Sequence, residues 1–356
     1  RMVQCVQSAA KIFTDFTRIV FWTAKLSHRC TAWYGKPAFC TLLYMRNYRK
    51  QKLQQSFGTA FQRTPSPLTA EGNTDNNTMH AASLHLSDAP IGVFDSGVGG
   101  LTVVREIMRN LPNERIVYFG DTARVPYGSK SQENVIRFSK QIIHFLQTQG
   151  VKAIVIACNT ASALALDAVE TDLDIPIIGV IKPGAHMAAK ATHNKRVGVI
   201  GTESTIRSRT YDRFIQQQDP EIVVFGKACP LFVPLVEEGW LKDSVTEEVA
   251  RRYLSELLRK DIDTLVLGCT HYPLIRSLVG KIAGDQVTLV NPAYETAQEL
   301  RRLLEQEQLI NTGENNKKDE MHQFYVSDAA EKFGEFANSI LPYDVKRARK
   351  INIEEY

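Results

Sequence analysis

From Pro90 onward the chain alternates short apolar runs with stretches of helical period, and that alternation leaves few architectures open. Runs at 91–94, 116–119, 151–157, 175–180, 197–200, 222–225, 264–267, 287–290 and 324–326 read as strands. Between them, Leu101, Val104, Met108 and Leu111 share one helical face, and Val135, Phe138, Ile142 and Leu146 share another. The second helix starts at Ser131 and stops at Gly150, a residue suited to the left-handed position just past a helix. Further helices are expected through Ile206, Tyr211 and Phe214, and over 245–258, 297–309 and 328–340. Strands joined through helices run parallel, with helices on both faces of the sheet. The run 151–157 reads as an unbroken apolar strand, the character expected of one covered on both sides. An α/β protein of doubly wound parallel sheets results, and such sheets bind ligands at the carboxyl ends of their strands.

Two strand ends are alike. Residues 154–160 read IVIACNT and residues 265–271 read LVLGCTH: an apolar run, a small residue, a cysteine, then polar groups. This faint internal repeat suggests two similar lobes, each offering one thiol, Cys158 or Cys269, to a shared cleft. Taken singly, each cysteine reads equally well as a small buried hydrophobe. Asp95, Ser96, Gly97, Val98, Gly99 and Gly100 form a tight strand-to-helix turn whose N–H groups can face an anion. The turn fits neither common phosphate-loop pattern, so a nucleotide site is not indicated. Asp95 directly at the strand end tilts the reading from a plain turn toward chemistry. His271 could polarise a group beside Cys269 or serve as a hydrogen-bonded structural residue. Pro126, Tyr127 and Gly128 read as a turn. None of these strings contains Lys or Arg, so a bound carboxylate would rest on backbone N–H groups and on Ser96, Thr160 and Thr270.

Together the strings are more specific. FDSGVGGL at 94–101, PYG at 126–128, ACNTAS at 157–162, CPLFVPLVEEG at 229–239 and LGCTHYPL at 267–274 stand in an order and spacing that resembles glutamate racemase, over about residues 91–340. Aspartate and hydantoin racemases look like more distant relatives. The resemblance implies a cofactor-independent, metal-free, two-base racemisation of glutamate with Cys158 acting on D-glutamate and Cys269 on L-glutamate. It implies that Asp95 and His271 assist the nearer thiols, that Asp95, Ser96, Tyr127, Gly128, Asn159, Thr160, Thr270 and His271 hold the substrate, and that Glu237 is an acid near the cleft. It further implies lobes at 91–184 plus 292–356 and at 185–291, and a bacterial cytoplasmic setting in which D-glutamate feeds peptidoglycan synthesis. A homodimer and activation by a peptidoglycan precursor are partner readings it leaves open. One departure is visible: the last strand ends Val326-Ser327-Asp328, where relatives often carry a glycine-containing turn, and its effect is expected to stop at the C-terminal packing.

Charge separates the leader from the body. Residues 1–78 hold 11 Lys/Arg against 3 Asp/Glu, whereas the remainder holds 32 against 36, so the overall +4 belongs to the leader. The acidic body argues against direct nucleic-acid binding and against a basic membrane face. Six cysteines with no Cys-x-x-Cys spacing exclude a disulfide scaffold and zinc knuckles. The most apolar part of the leader, 12–24, is too short to span a bilayer and is interrupted by Asp15 and Arg18. Residues 1–90 read as a segment upstream of a start at Met79, a disordered basic tail, or an Arg-rich targeting peptide, and no function is assigned to them. Rival readings are an aspartate- or hydantoin-type racemase, a cysteine hydrolase using Cys269 and His271, and a non-enzymatic gyrase-binding protein.

Overall fold

A computed structural model describes residues 86–313 and 322–356; most of the basic leader, 1–85, lies outside the described residues. Among the described residues, ten strands fall into two sheets. The first contains β1 (Ile91–Asp95), β2 (Ile116–Gly120), β3 (Ala153–Ile156), β4 (Ile177–Gly179), β9 (His322–Val326) and β10 (Ala348–Lys350), in the order β10-β9-β2-β1-β3-β4. The second contains β5 (Arg196–Gly201), β6 (Val223–Ala228), β7 (Thr264–Gly268) and β8 (Thr288–Val290), in the order β6-β5-β7-β8. Every pairing is parallel. β1 and β5 each lie between two strands reached by crossovers in opposite directions, which opens a crevice at their carboxyl ends.

The two-residue period of each strand divides the core. Val93, Tyr118 and Val155 face the helices Leu101–Asn110, Pro292–Gln306 and Ala330–Ile340. Phe94, Phe119 and Ile156 face the helix Gln132–Thr148 on the other side. In the second sheet, Leu265 and Leu267 pack toward Ser244–Leu258, while Val197, Val199 and Val266 pack toward Ile181–Ala191 and Thr210–Gln218. A buried side chain on each face explains why these strands read as continuous apolar runs.

The structure revises the sequence reading at several points. Helices Ile181–Ala191 and Arg276–Ala283 were not expected. Pro183 and Gly184 hid the first of them, yet Pro183 sits in the first turn, where no intrahelical N–H bond is lost. Gly184 lets Pro292 approach: a Cβ there would lie 2.9 Å from the proline ring. The helix expected through Ile206 and Phe214 is two, Glu203–Arg207 and Thr210–Gln218, broken at Arg209 with φ +51°. The helix expected from 297 begins at Pro292, capped by Asn291. The chain does not finish at the helix near 340 but adds β10.

Lys152 interrupts the apolar run ahead of β3 and is buried with Glu114 at 2.6 Å. Its ammonium also donates to the carbonyls of Ser87 and Leu309, and Glu114 accepts from Asn311 N. Burial pushes the Glu114 carboxyl up and the Lys152 ammonium down, and each charge partly draws the other back. Removing one partner strands the other, so Lys152→Met is expected to cost about 3 kcal/mol in urea unfolding, with part recovered by adding Glu114→Gln.

Candidate active site

Each feature of the site is a strand end. Asp95 closes β1, Cys158 follows β3 by two residues, Thr202 follows β5, and Cys269 follows β7 directly. One cavity is lined by Ser96, Tyr127, Gly128, Cys158, Asn159 and Thr160 from the first sheet's side and by Thr202, Glu237, Cys269, Thr270 and His271 from the second's. It therefore gathers the sequence-selected residues, with Asp95 just behind them: that carboxylate is fully buried, and its Oδ2 accepts from Gly97 N at 3.1 Å.

The two thiols have opposite surroundings. Cys158 caps the short helix Asn159–Leu164, its Sγ accepting from Ala161 N at 3.4 Å and donating to Ser96 Oγ at 3.6 Å. Burial first, and then the neighbouring Asp95 carboxylate, push the Cys158 thiol up to about 12. Burial likewise raises the Asp95 carboxyl above its ordinary value. Cys269 instead lies 3.8 Å from His271 Nδ1, and His271 Nε2 lies 2.9 Å from Glu237 Oε1. Burial disfavours the charged ring, but Cys269 and Glu237 together outweigh it and hold His271 up to about 10. The imidazolium can then donate from both nitrogens at once. Hydrogen bonding to His271 also draws the Glu237 carboxyl down.

Close approach at the back of the cleft depends on glycine. A Cβ at Gly99 would lie 2.5 Å from two atoms of the His271 ring and nearer still to Thr270 Oγ1. Thr102 Oγ1, on the second residue of the following helix, donates to Thr270 O at 2.8 Å. At the front, Thr160 Oγ1 and Thr202 Oγ1 are 2.9 Å apart, and Ser204 Oγ donates to Gly128 O at 2.7 Å. Asn159 Oδ1 accepts from Tyr211 OH at 2.7 Å, which fixes the amide.

Sequence reasoning missed Thr202 as a site residue, although β5 runs into Gly201 and then Thr202 as β7 runs into Gly268 and then Cys269, a small residue before a polar one. It also missed Asp121 at the end of β2, which accepts the Tyr127 hydroxyl proton in a hydrogen bond. The apolar walls Val125 and Val233 carried no signal that would separate them from core residues. Cys229 is buried outside the cavity, and burial pushes its thiol up. All three described cysteines are free. Among the described residues no cluster of three His, Cys, Asp or Glu could hold a metal ion, and no helix is long and apolar enough to cross a membrane.

Two parallel sheets that meet at a cleft lined by a thiol from each side define a class of α/β protein. The family model for Asp/Glu/hydantoin racemases matches residues 91–300. A glutamate racemase of Geobacter metallireducens is 49% identical over 265 residues, which is 74% of this chain and 97% of that one. The crystal structure of the Francisella tularensis glutamate racemase in complex with D-glutamate is similar with a TM-score of 0.70 and 41% identity, covering 76% of this chain and 100% of that one. The Escherichia coli glutamate racemase, in complex with L-glutamate and the activator UDP-MurNAc-Ala, has a TM-score of 0.62 and 28% identity over 74% of this chain and 98% of that one. The chain belongs to the Asp/Glu/hydantoin racemase family, among the glutamate racemases, and is an amino-acid racemase.

Proposed function

We propose that the chain interconverts L- and D-glutamate without a cofactor, using Cys158 and Cys269 as paired acid and base. The observation that carries this reading is the single cavity lined by one thiol from each sheet's side. A thiolate on one side takes the α-proton, leaving a carbanion whose charge spreads into the α-carboxylate. The thiol on the other side gives its proton to the opposite face of the same carbon. The protein ends with thiol and thiolate exchanged, and solvent restores the first state.

The two sides differ: burial and Asp95 hold Cys158 as the thiol, whereas Cys269 lies beside a protonated His271. With the acid on the Cys158 side, the site is set to accept L-glutamate, the enantiomer assigned to Cys269. Ser96, Tyr127, Gly128, Asn159, Thr160 and Thr270 would hold the substrate. Asp95 would assist Cys158, His271 would assist Cys269, and Glu237 would keep the His271 ring charged. Lobes at 91–184 plus 292–356 and at 185–291 would close on the substrate, in line with the division of strands between the two sheets. The D-glutamate formed would serve peptidoglycan synthesis in a bacterial cytoplasm. The activator held by the Escherichia coli relative makes a peptidoglycan precursor the natural candidate regulator, and a homodimer is the assembly to look for by sedimentation.

The Cys269–His271–Glu237 line would also suit a thiol hydrolase, but that reading leaves Cys158 idle. Both are tested by incubating the full chain with each glutamate enantiomer in D₂O, free of pyridoxal phosphate and with chelator present. Decay of optical activity with α-deuterium in the product is expected. Retention of both hydrogen and rotation would overturn the proposal.

The pH dependence has a constraint of its own. The enantiomers have equal free energy, so kcat/KM must be the same in both directions at every pH, and asymmetry can appear only in kcat and KM separately. His271 is charged below about pH 10, so its support for the reacting side of the cleft should fade, and activity fall, as pH rises through about 10. The mechanism needs one thiol and one thiolate at once, so activity should also fall toward acid. A bell is therefore expected, and a flat kcat/KM from about pH 6 to about 10 with chemistry rate-limiting would count against the mechanism.

A further inference from the structure

The strand-end departure at Ser327 reaches much further than the C-terminal packing. Its hydroxyl donates to Asp121 Oδ1 at 2.9 Å and accepts from Ala123 N at 2.8 Å. The other oxygen of the same fully buried carboxylate accepts from Arg124 Nε at 2.7 Å and from Tyr127 OH. Asp121 N in turn donates to Asp95 O at 3.1 Å, tying this point to the end of β1. Arg124 is held from outside by Gln141 at 2.6 Å and Glu354 at 3.0 Å. Its guanidinium stacks 4.1 Å above the Phe138 ring, which also packs against the Tyr127 ring. The loop so braced, from Val125 to Gly128, is one wall of the cavity.

We propose that Ser327 and Arg124 are positioning residues that act through the Asp121 carboxylate to hold the Tyr127–Gly128 wall against the substrate. The inference rests on the reading that this wall contacts glutamate. Three donors converge on one buried carboxylate, so each oxygen is satisfied and the loop has one arrangement. Burial, with Asp121 beside it, raises the Tyr127 hydroxyl well above its ordinary value, so the hydroxyl remains a donor throughout the working pH range. Both thiols lie outside the brace, and its loss should be felt in substrate binding before chemistry.

The test is steady-state racemisation by the full chain, with melting temperature measured alongside. Ser327→Ala leaves Asp121 Oδ1 and Ala123 N without a partner, and is expected to raise KM for glutamate about tenfold. kcat should stay within about twofold, the signature of lost uniform binding. Ser327→Thr, which keeps the hydroxyl, should restore KM. Arg124→Lys keeps the charge but not the planar fork, and should fall between wild type and Ser327→Ala. Tyr127→Phe removes the donor at the receiving end, so adding Ser327→Ala to it should raise KM by less than the product of the single effects. Unchanged KM in Ser327→Ala, loss in kcat alone, failure of Thr to rescue, or fully multiplicative effects would each overturn the inference. A wild-type chain that racemises nothing would instead overturn the function on which it rests.

Discussion

Cys158→Ser and Cys269→Ser should each lower racemisation by roughly 10³-fold, while Cys229→Ser keeps most of it. A serine hydroxyl is neither a competent base nor a ready acid at neutral pH, so each change removes one partner of a two-sided transfer. The variants should differ in what survives. Cys158→Ser retains Cys269 and its His271 partner, so it should still exchange the α-hydrogen of L-glutamate with D₂O without inverting the centre. Cys269→Ser should exchange only D-glutamate, and more slowly, because burial and Asp95 keep the remaining thiol protonated. Deuterium content and optical rotation followed together would read this directly. Substantial racemisation by both variants, or a larger loss in Cys229→Ser, would place the chemistry elsewhere.

Gly99→Ala should lower kcat by about a hundredfold without unfolding the chain. The added methyl would enter space already held by the His271 ring and Thr270 Oγ1. Relief requires the loop after β7 to withdraw, taking Cys269 and its imidazolium away from the reacting carbon. Displacements of about 1 Å at a reacting pair cost on this scale, since proton transfer needs near-contact geometry. Gly334→Ala, in the helix Ala330–Ile340, meets nothing within 4 Å and is the matched control with unchanged kcat. If Gly99→Ala races on at the wild-type rate, the close approach of the loops is not what sets the chemistry.

What was legible in the sequence is what local pattern controls. Parallel sheets follow from alternation because a strand of two buried faces has no polar side to show, as in Val93 and Phe94. Most of the cavity's polar residues, though not Thr202, were legible because strand ends in this architecture are where chemistry gathers, and Cys158 and Cys269 shared a local string. Ile181–Ala191 was hidden because proline and glycine are read as breakers, although a first-turn proline and a glycine under Pro292 are compatible with a helix. Asp121 was hidden for another reason. Its partners Tyr127 and Ser327 are six and 206 residues away, and a side-chain network of that span leaves no periodic trace. Lys152 passed unremarked inside the apolar run 151–157, because its partner, Glu114, comes from a different part of the chain.

The two sides of the cleft are joined by Thr102 with Thr270 at the back, by Thr160 with Thr202 and Ser204 with Gly128 at the front, and by Tyr211 with Asn159. All are hydroxyl bonds that water can replace once the cleft parts, so each contributes only about 1 kcal/mol net. Several bonds of this size tie the halves together, and no one of them decides the closure. A cleft tied in this way would exclude solvent during proton transfer and still part stepwise, one hydroxyl at a time, for substrate to enter and product to leave.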